Sequence, residues 1–297
     1  MTAGAARDTL PVWLRLGRVS NLPTVWTNAM AGAAVAGGEP WSPVTFLTGL
    51  ALSFLYVGGM YLNDAFDAAI DARERPGRPI PAGEVAPETV FALGFVLLLL
   101  GLMALAAALA LPPADSGLAA TVAGVGLAGA IVLYDWRHKG NPLSPLLMGL
   151  CRVLAYVTAG LAAVTSPAPA LWLLGLAGFG WLVGLTYAAK QEAFDRLDRV
   201  WPLAFLAAPL VYGLARLDAG PLAWLLLLGL SGWLGFALFL LQRRAKGDVP
   251  RAVVSLIAGI ALVDALFLAT IGAASAAFAA IGCFVLTLLL QRWVSGT

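Results

Sequence analysis

Over 297 residues, 61% of the side chains are hydrophobic and 11% are charged, and the mean hydropathy is +0.88. A soluble domain carries about a quarter charged residues, so an ordinary soluble fold is excluded and a chain that crosses a membrane repeatedly is expected. Eighteen basic and sixteen acidic residues leave a net charge of +2, which says little about partners; no nucleic acid is expected.

The first eighteen residues lack the basic, apolar, small-residue order of a signal peptide, so no cleavage is expected. Residues 10–19 combine Leu10, Val12, Trp13, Leu14 and Leu16 with Arg15 and Arg18, the pattern of a short interfacial helix. Apolar runs near the bilayer-spanning length of about 20 residues then follow at 22–38, 43–63, 88–111, 117–135, 143–165, 170–189, 200–217, 221–241, 252–271 and 275–291. Pro and Gly mark several of the connections, as in Gly38-Glu39-Pro40 and Ser166-Pro167-Ala168-Pro169. With the first run entering from the cytoplasm, Arg15, Arg18, Arg73, Arg75, Arg78, Arg137, Lys139, Lys190, Arg243, Arg244, Lys246, Arg251 and Arg292 all fall inside, whereas Arg216 falls outside. The positive-inside rule therefore predicts cytoplasmic termini. Cys151 and Cys283 sit in apolar runs without metal-ligand spacing and read as core residues.

The most informative stretch is Asn63-Asp64-Ala65-Phe66-Asp67-Ala68-Ala69-Ile70-Asp71, at the end of the second run. On a helix, Asn63, Asp67 and Asp71 are four apart and share one face, with Asp64 one step away. Oxygen donors in that pattern suit Mg²⁺, which typically joins one or two carboxylates to phosphate oxygens. Arg75 and Arg78 follow at once, and guanidinium groups fork onto phosphate. The expected ligand is a diphosphate with its metal; a merely solvated charged loop is the alternative.

Asn63-Asp64-x-x-Asp67-x-x-x-Asp71 followed by Arg78-Pro79-Ile80-Pro81-Ala82-Gly83 resembles the first aspartate-rich motif and following loop of the UbiA superfamily of intramembrane prenyltransferases. Gly17-Arg18-Val19-Ser20-Asn21-Leu22-Pro23-Thr24 also resembles the start of that family's first helix. The resemblance implies an all-α, polytopic bundle of nine or ten transmembrane helices around a central cavity open to the cytoplasm and to lipid. It implies one domain over residues 1–297, with an N-terminal segment 1–21 and two related halves at about 22–142 and 143–297. The implied activity is Mg²⁺-dependent transfer of a prenyl group from a prenyl diphosphate to a small aromatic or polyol-like acceptor. The oligomeric state is left open.

The second half carries Tyr187-Ala188-Ala189-Lys190-Gln191-Glu192-Ala193-Phe194-Asp195, where the family has a second aspartate-rich motif. Tyr187 and Ala188 match the family pattern, but Gln191 stands where a metal-binding Asp is expected. Glu192 and Asp195 then either supply the second metal site, with Gln191 adding an amide oxygen, or form a solvated, salt-linked loop. Asp198 reads as the more solvated of these acids. The loop Asp135-Trp136-Arg137-His138-Lys139 resembles the family's basic loop between the fourth and fifth helices, and Lys139, with Lys190, is the candidate to neutralise pyrophosphate. His138, the single histidine, reads as solvated. Tyr61, Tyr187 and Trp181 are candidates to stabilise an allylic cation through their ring faces. Asp67, Asp71, Lys139, Tyr187 and Asp195 form the expected catalytic set.

Arg152 and Asp264 lie within apolar runs, where charge is costly unless it is paired or faces a wet cavity. A structural pair between them is one reading. Together with the altered second motif, they also admit a transporter or a non-catalytic lipid-binding protein of the same fold.

Overall fold

The computed structural model describes residues 11–111, 117–190 and 200–296. Their regular structure is helical throughout. In chain order the α-helices are α1 (Val12–Leu16), α2 (Leu22–Val35), α3 (Pro43–Glu74), α4 (Pro87–Leu109), α5 (Gly117–Arg137) and α6 (Ser144–Ala163). They continue as α7 (Ala170–Lys190), α8 (Ala208–Leu214), α9 (Pro221–Arg243), α10 (Asp248–Thr270) and α11 (Ala274–Leu290).

All ten apolar runs are helical, but only seven helices among the described residues have spanning length: α3 to α7, α9 and α10. For two of the three shorter ones the reasons are local. After α2 the chain turns at Gly37, whose φ of +102° suits a residue without a Cβ. The 200–217 run divides into a 3₁₀ segment, Trp201–Ala207, and the short α8. Pro202 and Pro209 each stand near the start of their segment, where a missing N–H and a fixed φ are tolerated. α11 has seventeen residues.

Burial sorts the helices into a central and a peripheral set. The apolar window of α10 is 89% buried, whereas those of α4 and α5 are 28% buried. α10 is therefore the axis of the second half, packed by α2, α7, α9 and α11. α4 and α5 present Leu99, Met103, Leu118 and Val122 outward. That exposed apolar surface is expected of helices whose solvent is hydrocarbon. Close approach between α3 and α4 depends on two glycines. A Cβ on Gly58 would stand 2.9 Å from the Gly94 carbonyl oxygen, and one on Gly94 would stand 2.7 Å from Leu62.

Helix α3 determines where the chemistry sits. Ser42 caps its N-terminus, accepting a hydrogen bond from the Thr45 amide, and Pro43 opens its first turn. Thirty-two residues at 1.5 Å each make a rod of about 48 Å, against a hydrocarbon thickness of about 30 Å. Its last three turns therefore extend past the apolar stretch, carrying Asn63 through Asp71 to one end of the bundle.

Candidate active site

The carboxylate face of α3 is buried, not solvated. Asp67 is 3% and Asp71 1% exposed, and Asn63 and Asp64 are also buried. Four segments converge on it. From the turn after α1, Arg18 Nη2 lies 2.9 Å from Asp64 Oδ1. From the loop after α3, Arg78 Nη1 lies 2.7 Å from Asp71 Oδ2 and 3.2 Å from Asp64 Oδ1. From the loop after α5, Lys139 Nζ and His138 Nε2 approach Asp67 Oδ2 at 3.2 and 3.3 Å. From the end of α5, Asp135 Oδ1 accepts a hydrogen bond of 3.1 Å from Asn63 Nδ2.

Arg18 adopts a left-handed backbone, φ +42°, a conformation that typically costs about 1–3 kcal/mol in a residue other than glycine. The strain is held by the contacts its side chain makes. Burial opposes its charge, but Asp64, the Tyr56 hydroxyl and Asp135 outweigh that and raise its pKa above the ordinary guanidinium value.

These groups line a cavity that opens to solvent. Asn63, Asp67, Arg18, Arg75, Arg78, His138, Lys139 and Lys190 all contribute to its wall. Arg75 is exposed at the mouth, and Lys190 donates to the Asn141 carbonyl at 2.7 Å. A second, more apolar pocket shares Tyr56, Met60, Tyr134, Met148, Arg152 and Leu182 with the first. The polar cavity therefore continues into an apolar interior.

Among the described residues no three His, Cys, Asp or Glu side chains converge as a ready-made metal cage. The donor chemistry nonetheless fits a hard cation that shares its coordination with phosphate. Asp71 Oδ1 is buried without a hydrogen-bond partner, Asp67 lines the cavity, and the Asn63 amide, with its NH₂ given to Asp135, leaves its carbonyl oxygen free to point elsewhere. Asp64 differs from the expected metal ligand in being tied to both Arg18 and Arg78.

Several other expectations need correction. Trp181 is a core residue whose Nε1 donates to the Leu256 carbonyl at 2.9 Å. Tyr61 packs on Trp13, with ring centroids 5.9 Å apart, and donates to its carbonyl. Neither lines the cavity, and half-buried Tyr187 is not part of its wall; the rings that line it are Tyr56 and Tyr134. His138, expected in solvent, is buried, stacks on Tyr134 at 4.9 Å and meets Asp67. Arg137 lies outward, its guanidinium 4.1 Å from the centre of the Trp136 ring. Gln191, Glu192, Asp195 and Asp198 lie outside the described residues. Arg18 and Asp135 join the site through these contacts, and the one signal for them in the sequence is their position in the two flanking segments that resemble the family.

The sequence profile of the UbiA prenyltransferase family matches residues 24–253. The chain belongs to that family. It is an integral-membrane prenyltransferase, which decides between the enzyme and the transporter readings. It is similar to digeranylgeranylglyceryl phosphate synthase of Methanopyrus kandleri, at 30% identity over 205 residues, covering 68% of this chain and 69% of the relative. It is also similar to 4-hydroxybenzoate octaprenyltransferase of Aeromonas salmonicida, at 29% identity over 242 residues, covering 75% and 78% of the two chains. The fold matches a UbiA homolog from Archaeoglobus fulgidus bound to GPP and Mg²⁺, with a TM-score of 0.59 at 17% identity, over 88% of this chain and all of the other.

Proposed function

We propose that this UbiA-family enzyme transfers a prenyl group from an allylic prenyl diphosphate to a small acceptor, in a cavity that faces the cytoplasm. The observation that carries this reading is a cavity in which buried Asp67, one turn from Asp64 and Asp71 on the same helix, stands among six Lys and Arg side chains, with an apolar pocket leading away from it. A ligand with a metal-binding, dianionic head and an apolar tail complements that arrangement.

Asn63, Asp67 and Asp71 would hold Mg²⁺, with Gln191, Glu192 and Asp195 proposed as a second set; Lys190, the last described residue before them, lines the cavity. When bound, the metal neutralises diphosphate oxygens and favours their departure. Arg75, Arg78, Lys139 and Lys190 bind and orient the diphosphate through charge-assisted hydrogen bonds. Arg78 stands beside Asp71 and Lys139 beside Asp67, so metal-binding carboxylates and diphosphate-binding cations lie within reach of one head group. During transfer the C1–O bond breaks, its electron pair leaving with pyrophosphate. A nucleophilic acceptor atom forms the new bond to C1 and gives up its proton to the departing pyrophosphate. Tyr56 and Tyr134 face the cavity where positive charge develops at C1, and their ring faces stabilise it. Apolar walls exclude the water that would otherwise capture the cation.

The test is pyrophosphate release by purified protein given Mg²⁺, geranyl diphosphate and an acceptor. Release that depends on both metal and acceptor is expected. Diphosphate binding that ignores Mg²⁺, with no release for any acceptor, would overturn the reading.

Two further expectations arise here. Asp135→Leu removes the acceptor that orients the Asn63 amide, and loss of such an outer partner typically weakens metal binding by about 10–100-fold. The Mg²⁺ concentration for half-maximal rate should rise accordingly, while saturating Mg²⁺ restores most of the rate. An unchanged Mg²⁺ curve would show that Asn63 is not a ligand. For orientation, Gly77→Cys at the site end and Glu39→Cys at the other should label oppositely in intact cells lacking Cys151 and Cys283. An impermeant reagent added outside should modify only the second; modification of Gly77→Cys would reverse the topology.

A further inference from the structure

The segment that follows α11 returns to the active cavity. After Leu290 the chain makes one tight turn, in which the Arg292 amide donates to the Leu289 carbonyl and the Val294 amide to the Leu290 carbonyl. Arg292 and Trp293 on that turn are exposed, as expected of side chains that rest at a headgroup interface. Val294 and Gly296 are buried, with exposed Ser295 between them, the alternation of an extended strap. Gly296 lines the polar cavity together with Asn21 and Thr24 at the start of α2, Val253 and Ile257 on α10, and Tyr56 on α3.

An amide network holds the strap and leaves no donor spare. Asn21, 4% exposed, gives one Nδ2 hydrogen to the Gly296 carbonyl at 3.0 Å and the other to the Tyr56 hydroxyl at 3.2 Å. Its Oδ1 accepts from Gln291 Nε2 at 3.1 Å, and the same nitrogen reaches the Val254 carbonyl at 3.4 Å. Tyr56 in turn donates to the Arg18 carbonyl at 3.3 Å. Each side-chain amide carries two donor hydrogens, so both NH₂ groups are fully used. A Cβ on Gly296 would stand 3.0 Å from Asn21 Oδ1 and 3.1 Å from Gln291 Nε2, so glycine lets the backbone lie this close to the clamp.

Apolar side chains alone would pack α11 on α2 without the cost of burying two amides. What the network adds is a fixed stretch of backbone in the cavity wall, joined to the ring that faces the developing charge. Tyr56 lies seven residues, and so about 10 Å along α3, inside Asn63. A diphosphate bound at the rim fills the mouth near Arg75, whereas the wall at the level of Tyr56 must be closed by the protein itself.

We propose that residues 291–296 form a strap, clamped by Asn21, that seals this wall against water, so that the allylic carbon goes to the acceptor and is not hydrolysed. The proposal rests on the prenyl-transfer reading and assigns a specificity role within it. In the competing reaction the C1–O bond breaks, its electron pair leaving with pyrophosphate. The oxygen of a water molecule then bonds C1 and its proton passes to pyrophosphate, which gives the prenyl alcohol. Arg292 and Trp293 hold the outer side of the strap at the membrane surface.

The test compares wild type, Gln291→Met and Gly296→Val in lipid nanodiscs. Gln291→Met keeps the volume and removes both Nε2 bonds, and Gly296→Val presses on the two amides of the clamp. Labelled geranyl diphosphate and Mg²⁺ are supplied with and without 4-hydroxybenzoate, and pyrophosphate, geraniol and prenylated product are measured separately. Each variant is expected to release pyrophosphate without acceptor about fivefold or more faster than wild type, with geraniol as the matching product, while geranyl diphosphate binding changes less than about threefold. Closure is read directly from Val294→Cys in a Cys151→Ser, Cys283→Ser background. Its thiol should react with a soluble maleimide about fivefold or more faster once Gln291→Met is added. Acceptor-free rates equal to wild type overturn the proposal, as does a Val294→Cys thiol that labels equally fast with and without Gln291→Met. Loss of geranyl diphosphate binding in both variants overturns it too, because the segment would then build the donor site. Wild-type protein that binds no geranyl diphosphate with Mg²⁺ overturns the prenyl-transfer reading itself, and this proposal with it.

Discussion

Asp71→Ala and Asp67→Ala are each expected to lower kcat/KM for prenyl transfer by about 10²–10³-fold, the range seen when one preorganised charge-stabilising group is removed from an active site. Asp71 is the more informative of the two. It is 1% exposed, its Oδ2 holds Arg78 and its Oδ1 has no partner. Removing it costs the site a donor to Mg²⁺ and also frees Arg78, which keeps Asp64 as its partner at 3.2 Å. The local charge therefore stays paired and the variant should remain folded. Asp71→Asn keeps the shape and a neutral oxygen, so it should retain more activity than Asp71→Ala at high Mg²⁺. The measurement is steady-state pyrophosphate release across a Mg²⁺ titration, with thermal unfolding as the control. Wild-type rates with an unchanged Mg²⁺ curve would remove the α3 face from the metal site.

That face was legible in the sequence because it is a local property. Asn63, Asp67 and Asp71 are set four apart, and a helix of any packing presents them together. What surrounds the face was not legible. Arg18 reaches Asp64 across 46 residues and Asn63 reaches Asp135 across 72; both contacts depend on how α3 packs against α5 and the segment before α2. The aromatic assignments failed for a related reason. Tyr56 and Tyr61 are five residues apart on α3, a rotation of about 140°, so when one lines the cavity the other must face Trp13. Composition identifies apolar runs without giving the rotational phase of each helix. Hydropathy likewise marked ten helical runs, while the backbone preferences of Pro202 and Pro209 determine that the 200–217 run is not one continuous span. Burial of His138 follows from its stacking on Tyr134 one turn earlier, a contact made possible when α5 ends at Arg137 and the chain folds back over the site.

The largest effect on stability is expected at Asp264, not at any site residue. It is fully buried on α10, the most enclosed spanning helix, and ties three helices together: Thr27 and Asn28 on α2 and Tyr156 on α6 all donate to it. Asp264→Ala would leave those three donors facing an apolar cavity. Breaking a buried charged network by removing one partner typically costs about 3–5 kcal/mol. Asp264→Asn keeps the volume and one acceptor oxygen but turns an NH₂ toward groups that are themselves donors, so it should fall between wild type and the alanine variant. Thr27→Val removes a single donor and should cost about 1 kcal/mol. Thermal unfolding in detergent should therefore rank the four proteins wild type, Thr27→Val, Asp264→Asn, Asp264→Ala in falling midpoint. If Asp264→Ala unfolds at the wild-type temperature, the carboxyl does not hold α2, α6 and α10 together.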